Sequence, residues 1–464
     1  MRSDRWVMPK KKPNPTTANN KNNENNEEVS VFPMTEFLQW FSDEKRKLPW
    51  RSLTGGRNVH KKRDPYAVWI LETMLQQTQI ATVLPYYQRW MKRFPSVKSL
   101  SQASYEEALV YFQGLGYYRR LRSLLEGAKS LVNDHTGIFP IDRAKLLDIA
   151  GIGPYTAGAI LSFSYHKRAA VVDGNIVRVL SRYYGLNADK SVLAQYGSAV
   201  WKKMEMLLPR RGSKCAVFNE AMMEFGSIVC KAREPRCLTL SSKNNGLFQT
   251  TNHLLAEHDH KYCTQDHAKG SVNPNKHARE HTRVVKQLNK KEWVCPLMKS
   301  CVAYQRGEVL ALPKLKKQPK TEHVYSSVFI IKHRGRYLLL KRSKKERLSG
   351  MWEFPTLEHH MPHDNLTHQD FERFVRTQLG LKLKIDRALQ TFKSSYTRYR
   401  ATVVVFQAKF DDDSKILNAK QTVLNQTSSS VTETKLRRWL TASDLNTIGL
   451  SSLYSRIRAY LLAS

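Results

Sequence analysis

From Val31 to about Leu312 the apolar residues recur at helical spacing, broken by Gly- and Pro-marked turns. Asp64-Pro65 reads as an N-cap followed by proline at the first helical position. The helix it opens carries Ala67, Val68, Trp69, Ile70, Leu71, Met74 and Leu75, an almost wholly apolar stretch interrupted by Glu72. Further helices are predicted over Tyr105–Tyr111, Arg119–Asn133, Tyr155–Phe163, Gly174–Tyr183 and Phe218–Phe225, so this part of the chain is expected to be all-α. Past the lysine-rich Pro313–Lys320 the period changes. Val324–Lys332 and Tyr337–Leu340 flank His333-Arg334-Gly335-Arg336 as a hairpin would, and Thr402–Lys409 is another β-rich run. With helices expected at Phe371–Leu379 and Ser451–Leu462, the second part reads as a small α/β domain.

Charge narrows the class of partner. In a chain of 464 residues, 76 Lys and Arg stand against 40 Asp and Glu, a surplus that favours a polyanion, nucleic acid first. No uncharged apolar run reaches membrane-spanning length and no charged-then-apolar signal opens the chain, so no membrane partner is expected. Residues 1–30, rich in Asn and Lys, cannot bury a core and are expected to be a disordered basic tail. Its Lys10-Lys11-Lys12 run fits a nuclear signal and a solvated tail equally well, and leaves nucleus or mitochondrion open as the compartment. The six cysteines are too few for a disulfide scaffold.

Four of those cysteines carry chemistry instead. Six residues separate Cys230 from Cys237 and five separate Cys295 from Cys301, short loops that let paired thiolates face one metal centre, as around an iron–sulfur cluster. Four ordinary buried cysteines or a zinc knuckle are the alternatives, although zinc sites favour pairs two to four residues apart. The 57 residues between Cys237 and Cys295 show little periodicity but contain several histidines and Cys263. A disordered insertion over 238–294 is expected there in preference to a second metal site.

Leu147-Asp148-Ile149-Ala150-Gly151-Ile152-Gly153-Pro154-Tyr155 reads as helix, glycine hairpin and second helix, with Gly151 and Gly153 letting backbone amides approach a phosphate. Two carboxylates flank it in sequence. Glu72 has Val68, Trp69 and Leu75 as helical neighbours, so burial would raise its pKa and keep it protonated. Asp173, in Val172-Asp173-Gly174-Asn175, sits at a helix start whose dipole favours the ionised form. An acid and an anion in different environments suit cleavage of a glycosidic bond: one protonates the leaving group, the other stabilises an oxocarbenium-like sugar. A surface glutamate and a simple N-cap are the plainer readings.

These segments together with Glu72-Thr73-Met74-Leu75-Gln76-Gln77-Thr78-Gln79, Gly114-Leu115-Gly116-Tyr117-Tyr118 and Phe218-Asn219-Glu220-Ala221-Met222-Met223 resemble the adenine DNA glycosylases of the MutY family over about residues 31–312. The resemblance implies an all-α helix-hairpin-helix glycosylase with two helical lobes and an iron–sulfur cluster loop, DNA lying between the lobes. It implies removal of adenine mispaired with 8-oxoguanine or guanine in double-stranded DNA, with Glu72 as acid, Asp173 as stabiliser, Asn175 as a DNA contact, and a [4Fe-4S] cluster on the four cysteines. It also places Gln77 and Tyr117 at the lesion and partner base, and Leu48 and Arg51 at the DNA and the flipped adenine. Endonuclease III enzymes carry a lysine where Tyr155 stands; a phenol forms no Schiff base, so a monofunctional enzyme leaving an abasic site is expected. A monomer working with other repair proteins and a replication clamp completes the expectation.

Residues 313–322 read as a linker and 323–464 resemble the family's Nudix-like domain, on Leu338-Leu339-Leu340-Lys341-Arg342 and Gly350-Met351-Trp352-Glu353-Phe354-Pro355. Phe374, Thr377 and Gln378 stand where a Nudix hydrolase has magnesium-holding glutamates, so a recognition role is expected. The family's Phe-Ser-His probe is replaced by Phe392-Lys393-Ser394-Ser395, which puts the readout of the oxidised base in doubt. Leu71, where serine is usual, is a second departure. An endonuclease III-like lyase for oxidised pyrimidines and a non-enzymatic DNA-binding protein with a structural cluster are the rival readings.

Overall fold

The computed structural model describes residues 31–52, 62–238, 295–315, 321–343, 346, 350–360, 362–363, 366–396, 399–410 and 436–463. The basic tail and nearly all of the expected insertion, Cys263 included, lie outside them. Two apolar clusters divide the helical part into two lobes. The first lobe runs through α3 (Pro65–Leu75), α4 (Ile80–Arg93), α5 (Val97–Ser101), α6 (Tyr105–Phe112), α7 (Arg119–His135), α8 (Arg143–Leu147) and α9 (Pro154–Ala159). The second joins α1 (Met34–Glu44) to α10 (Gly174–Tyr183), α11 (Lys190–Leu193), α12 (Ala199–Leu207), α13 (Gly212–Ile228) and α14 (Val302–Gln305), while α2 (Pro49–Ser52) sets Trp50 against the first lobe. Asp64 caps α3 as its sequence implies, accepting from the amides of Tyr66 and Ala67. Leu71 is buried on that helix, so the departure there is a core substitution.

The helix expected over Tyr155–Phe163 is two pieces: α9 ends at Ala159 and a π turn covers Ile160–Ser164. Behind it an extended segment, 169–172, crosses between the lobes. Gly158 makes room for it, since a Cβ there would lie 2.1 Å from the Ala170 carbonyl oxygen. Asn219, fully buried on α13, fixes the same segment: its amide donates to Ala169 O at 2.9 Å and Ser162 Oγ at 2.8 Å, and its carbonyl accepts from Val171 N at 3.3 Å.

The C-terminal part is a mixed sheet of β1 (Glu322–His333), β2 (Arg336–Lys341), β3 (Trp352–Glu353), β4 (Thr356–His359), β5 (Leu383–Tyr396), β6 (Tyr399–Phe410) and β7 (Arg437–Leu440). β1 runs parallel to β6, and the principal order is β3-β2-β1-β6-β5. Arg334 and Gly335, both at positive φ, form the expected hairpin turn. Val328 and Ile330 face α16 (Ser452–Ala463) on one side of the sheet while Phe329 and Ile331 face α15 (His368–Leu379) on the other. Burial on both faces is why Val328-Phe329-Ile330-Ile331 of β1 are apolar without a break.

Asn219→Leu keeps the volume but removes the bonds that hold 169–172. We expect a loss of about 2 kcal/mol or more, because the Ala169 carbonyl and Val171 amide become buried without partners. Thermal unfolding of the two proteins checks it.

Candidate active site

A cleft of about 1000 Å³ opens where the lobes meet and is lined by Leu48, Arg51, Glu72, Gln77, Tyr155, Asp173 and Asn175 among others. The two carboxylates singled out in sequence come one from each lobe, beside Glu220 and Glu224 of α13. Glu72, 5 % exposed, comes from the fourth-last position of α3; Asp173 is the N-cap of α10. Tyr155, at the start of α9, donates its hydroxyl to Glu72 Oε2 at 2.5 Å. Burial keeps this phenol protonated, its pKa well above the ordinary value.

Burial also lifts the Glu72 carboxyl to about 6, against the opposing pull of the Tyr155 bond and the Arg63 guanidinium. Asp173 departs from the expectation that its helix start holds it low. Burial pushes it above the usual aspartate value even though Ile176 N, Asn175 Nδ2 and Asn175 N donate to it at 2.8, 2.7 and 3.0 Å. Desolvation outweighs the helix terminus because Asp173 lies in the seam between lobes and not on a solvated end.

The seam holds more charge than the motifs announce. Arg46 donates to Glu224 through Nε at 2.7 Å and Nη2 at 2.9 Å, Arg51 lies 3.4 Å from Glu224 and 3.6 Å from Glu220, and Arg63 bonds Glu220. Burial tends to raise Glu224, but Arg46 and Arg51 leave it below its ordinary value. Burial brings Arg63 down to about 10. Arg51 therefore lines the cleft as part of an ion-pair network, and Leu48 lines it while 8 % exposed. Glu220 and Glu224, one turn apart on the otherwise apolar face of α13, carried in sequence the same signal as Glu72.

Other expected contacts are distributed differently. Asn175 turns its side chain to Asp173 and Arg178, so it orients the carboxylate. Gln77 and Tyr117 both adopt positive φ, at 57° and 48°, and Tyr117 is 55 % exposed outside the cleft lining. In the hairpin only Gly151 needs its glycine, with φ +82°; Gly153 is extended, caps α9, and neither lines the cleft. Phe392 is buried in the sheet core, its ring under Arg456 and against Tyr460, and is not presented as a probe. Lys393 and Ser394 follow it along β5, Lys393 exposed and Ser394 half-buried. Phe374 also packs in the core, against Phe329.

Cys230, Cys237, Cys295 and Cys301 line one apolar cavity beside α10 and α14. Arg182 donates to Cys230 Sγ at 3.3 Å and to the carbonyls of Lys231, Ala232 and Leu312, and its own carbonyl accepts from Cys301 Sγ at 3.4 Å, tying both cysteine loops to α10. Burial and the neighbouring thiols raise Cys237 to about 12 and Cys295 well above its ordinary value. Among the described residues no set of three or more His, Cys, Asp or Glu is gathered as a single-ion site. Four thiols around one cavity are a donor set that fits an iron–sulfur cluster, as it also fits a four-cysteine zinc site.

Residues 70–203 match the HhH-GPD superfamily of base excision DNA repair proteins, and residues 327–460 match the NUDIX domain. The chain is 42 % identical over 213 residues to the adenine DNA glycosylase of Mus musculus, covering 45 % of this chain and 40 % of that one. Against the Rattus norvegicus adenine DNA glycosylase it is 33 % identical over 355 residues, 71 % of this chain and 61 % of that one. Against that of Arabidopsis thaliana it is 31 % identical over 342 residues, 69 % and 46 % of the two chains. The chain thus spans about half the length of the curated relatives it matches. Fold and cleft define a helix-hairpin-helix protein of the base excision repair superfamily with an appended Nudix-like domain. It belongs to the MutY family.

Tyr155→Phe removes a bond that holds the Glu72 pKa down, so the Glu72 titration midpoint should move up from about 6. Carboxyl-carbon NMR of Glu72 against pH measures it, and a downward move would show that the phenol is not its donor.

Proposed function

We propose that the protein is a monofunctional adenine DNA glycosylase that excises adenine opposite 8-oxoguanine or guanine, in nuclear or mitochondrial DNA, and leaves an abasic site. The observation that carries the reading is the placement of a raised-pKa carboxyl and a second carboxylate on opposite walls of one cleft. Adenine is a poor leaving group. Glu72, oriented by Tyr155, would donate a proton to the base, and ionised Asp173, oriented by Asn175, would face the positive charge growing on the sugar. A base reached in this way must first leave the helix stack, and the Arg46, Arg51 and Glu224 wall offers hydrogen-bonding groups to an extruded purine. The surplus of Lys and Arg supplies the attraction to phosphate.

The four thiols would hold a [4Fe-4S] cluster, which contributes structure to the loops around it. On that reading the purified protein carries iron and visible absorption, and Cys230→Ser or Cys295→Ser loses both while Cys263→Ser keeps them. Equal loss in Cys263→Ser would assign the cluster differently.

Glu72→Gln should lower single-turnover adenine excision by about a hundredfold to ten-thousandfold with DNA binding nearly intact, the usual worth of general acid catalysis. A loss under tenfold removes Glu72 from that role. Assays on adenine opposite 8-oxoguanine, on thymine glycol and on undamaged duplex separate this activity from a pyrimidine lyase and from binding alone. Because protonated Glu72 is the active form, kcat/KM should fall as pH rises through about 6; because ionised Asp173 is needed, it should also fall on the acid side, beginning above the ordinary aspartate range. A flat profile from pH 5 to 8 contradicts the Glu72 assignment.

A further inference from the structure

Among the described residues the sheet domain meets the helical part along α6 and α7 and behind the Gly114–Tyr117 turn, and Lys341 Nζ donates to Glu106 on α6 at 2.6 Å. Gly449 lies so close to α6 that a Cβ on it would sit 2.2 Å from Leu109 Cδ2. Met351, 1 % exposed, packs into the first lobe's core, and Gly350 lies against Arg122 and Tyr105. Two polar contacts then grip the turn at its ends. On the entering side, Leu450 N donates to Gln113 Oε1 at 3.0 Å. On the leaving side, the Ser452 side chain lies against the buried phenol of Tyr118, whose oxygen accepts from Gly114 N at 3.1 Å.

Between those grips the chain bends through Gly114 at φ +101°, Gly116 at +72° and Tyr117 at +48°. A tyrosine held there stores strain of about 1 kcal/mol or more that its surroundings must offset. Arg120 supplies the other support. Its buried guanidinium donates to Leu115 O and Gly116 O in this turn, and to Thr73 O, Met74 O and Gln76 O at the end of the helix that carries Glu72. Tyr117 and Gln77, the two non-glycine residues at positive φ on either side of that guanidinium, are thereby set by one rigid unit.

We propose that the C-terminal domain is a positioning element for this unit: by gripping Gln113 and Tyr118 it holds Tyr117, and through Arg120 Gln77, in the conformation that meets the DNA. Selectivity for the opposing base then depends on Leu450 and Ser452, which need not touch the DNA. Gln113 and Ser452 are positioning residues. The claim rests on the glycosylase reading for its effect on selectivity, but its mechanical part is independent of any activity.

The test uses the full chain carrying Gln113→Leu and Ser452→Ala together. Amide exchange over residues 113–120 in the free protein should quicken about threefold to tenfold, the worth of one ordinary hydrogen bond, while the exchange of α13 stays unchanged. The ratio of single-turnover excision opposite 8-oxoguanine to that opposite guanine should fall by a similar factor. Gln113→Glu with Ser452 intact, which keeps an acceptor for Leu450 N, should retain wild-type exchange and ratio. Unchanged exchange over 113–120 in the double variant overturns the proposal whatever the excision rates. Quicker exchange with an unchanged ratio overturns the selectivity claim. Should the wild-type protein excise no adenine at all, the activity reading fails and the exchange result alone decides the mechanical link.

Discussion

Burying ionisable groups in the seam between two helical lobes costs more than any single contact there returns, and the rest of the molecule is arranged around that cost. Glu72 and Asp173 are both lifted by desolvation. Neither lobe buries them alone, since one rides on α3 and the other caps α10 across the cleft. The charges around them are compensated in kind: Arg46, Arg51 and Arg63 stand against Glu220 and Glu224. Buried ion pairs of this sort contribute little net stability. Their effect is to fix where the carboxyl groups stand and how readily each takes a proton.

Irregular backbone carries the rest of the site, and buried side chains hold it through its carbonyls. Arg120 does so for the Gln77 and Tyr117 turns, Arg182 for the thiol loops, and Arg178 for the start of the first thiol loop, donating to Gly226 O and Cys230 O. Close approach does the remainder. Gly158 admits the 169–172 segment and Gly226 admits Asn175, where a Cβ would lie 2.6 Å from the Asn175 side chain. Asp173 is thus wedged between two helices and tied at both ends. A guanidinium satisfies several carbonyls from one centre, which suits segments that have no ladder of their own.

The chain stated its helices plainly where a stripe met a cap, as at Asp64-Pro65 and at Asp173 before α10, whose limits match the expected Gly174–Tyr183. It concealed β5, because Lys384, Asp386, Arg387, Gln390 and Lys393 blur its alternation and two register shifts break the period of two. The π turn after Ala159 looks like ordinary helix to any reading of hydrophobic spacing. Glu72 was legible from its apolar neighbours. The environment of Asp173 was not, because the helices that desolvate it, α9 and α13, are brought against it only by the fold. Arg120 was invisible for a related reason: among Arg119 and Arg122 it reads as one more surface cation, and only the fold turns it inward. Phe392 is core, which its place in the altered Phe392-Lys393-Ser394-Ser395 segment gave no sign of.

The central claim is that Glu72 supplies a proton to the departing base while Asp173 supports the sugar, and the two roles respond differently to the leaving group. The most direct measurement is single-turnover excision of a series of purine analogues of increasing leaving-group acidity by the wild-type, Glu72→Gln and Asp173→Asn proteins. A base that departs readily needs no proton, so the penalty of Glu72→Gln should shrink along the series while that of Asp173→Asn stays constant. A Glu72→Gln penalty that does not vary with the leaving group would contradict the account.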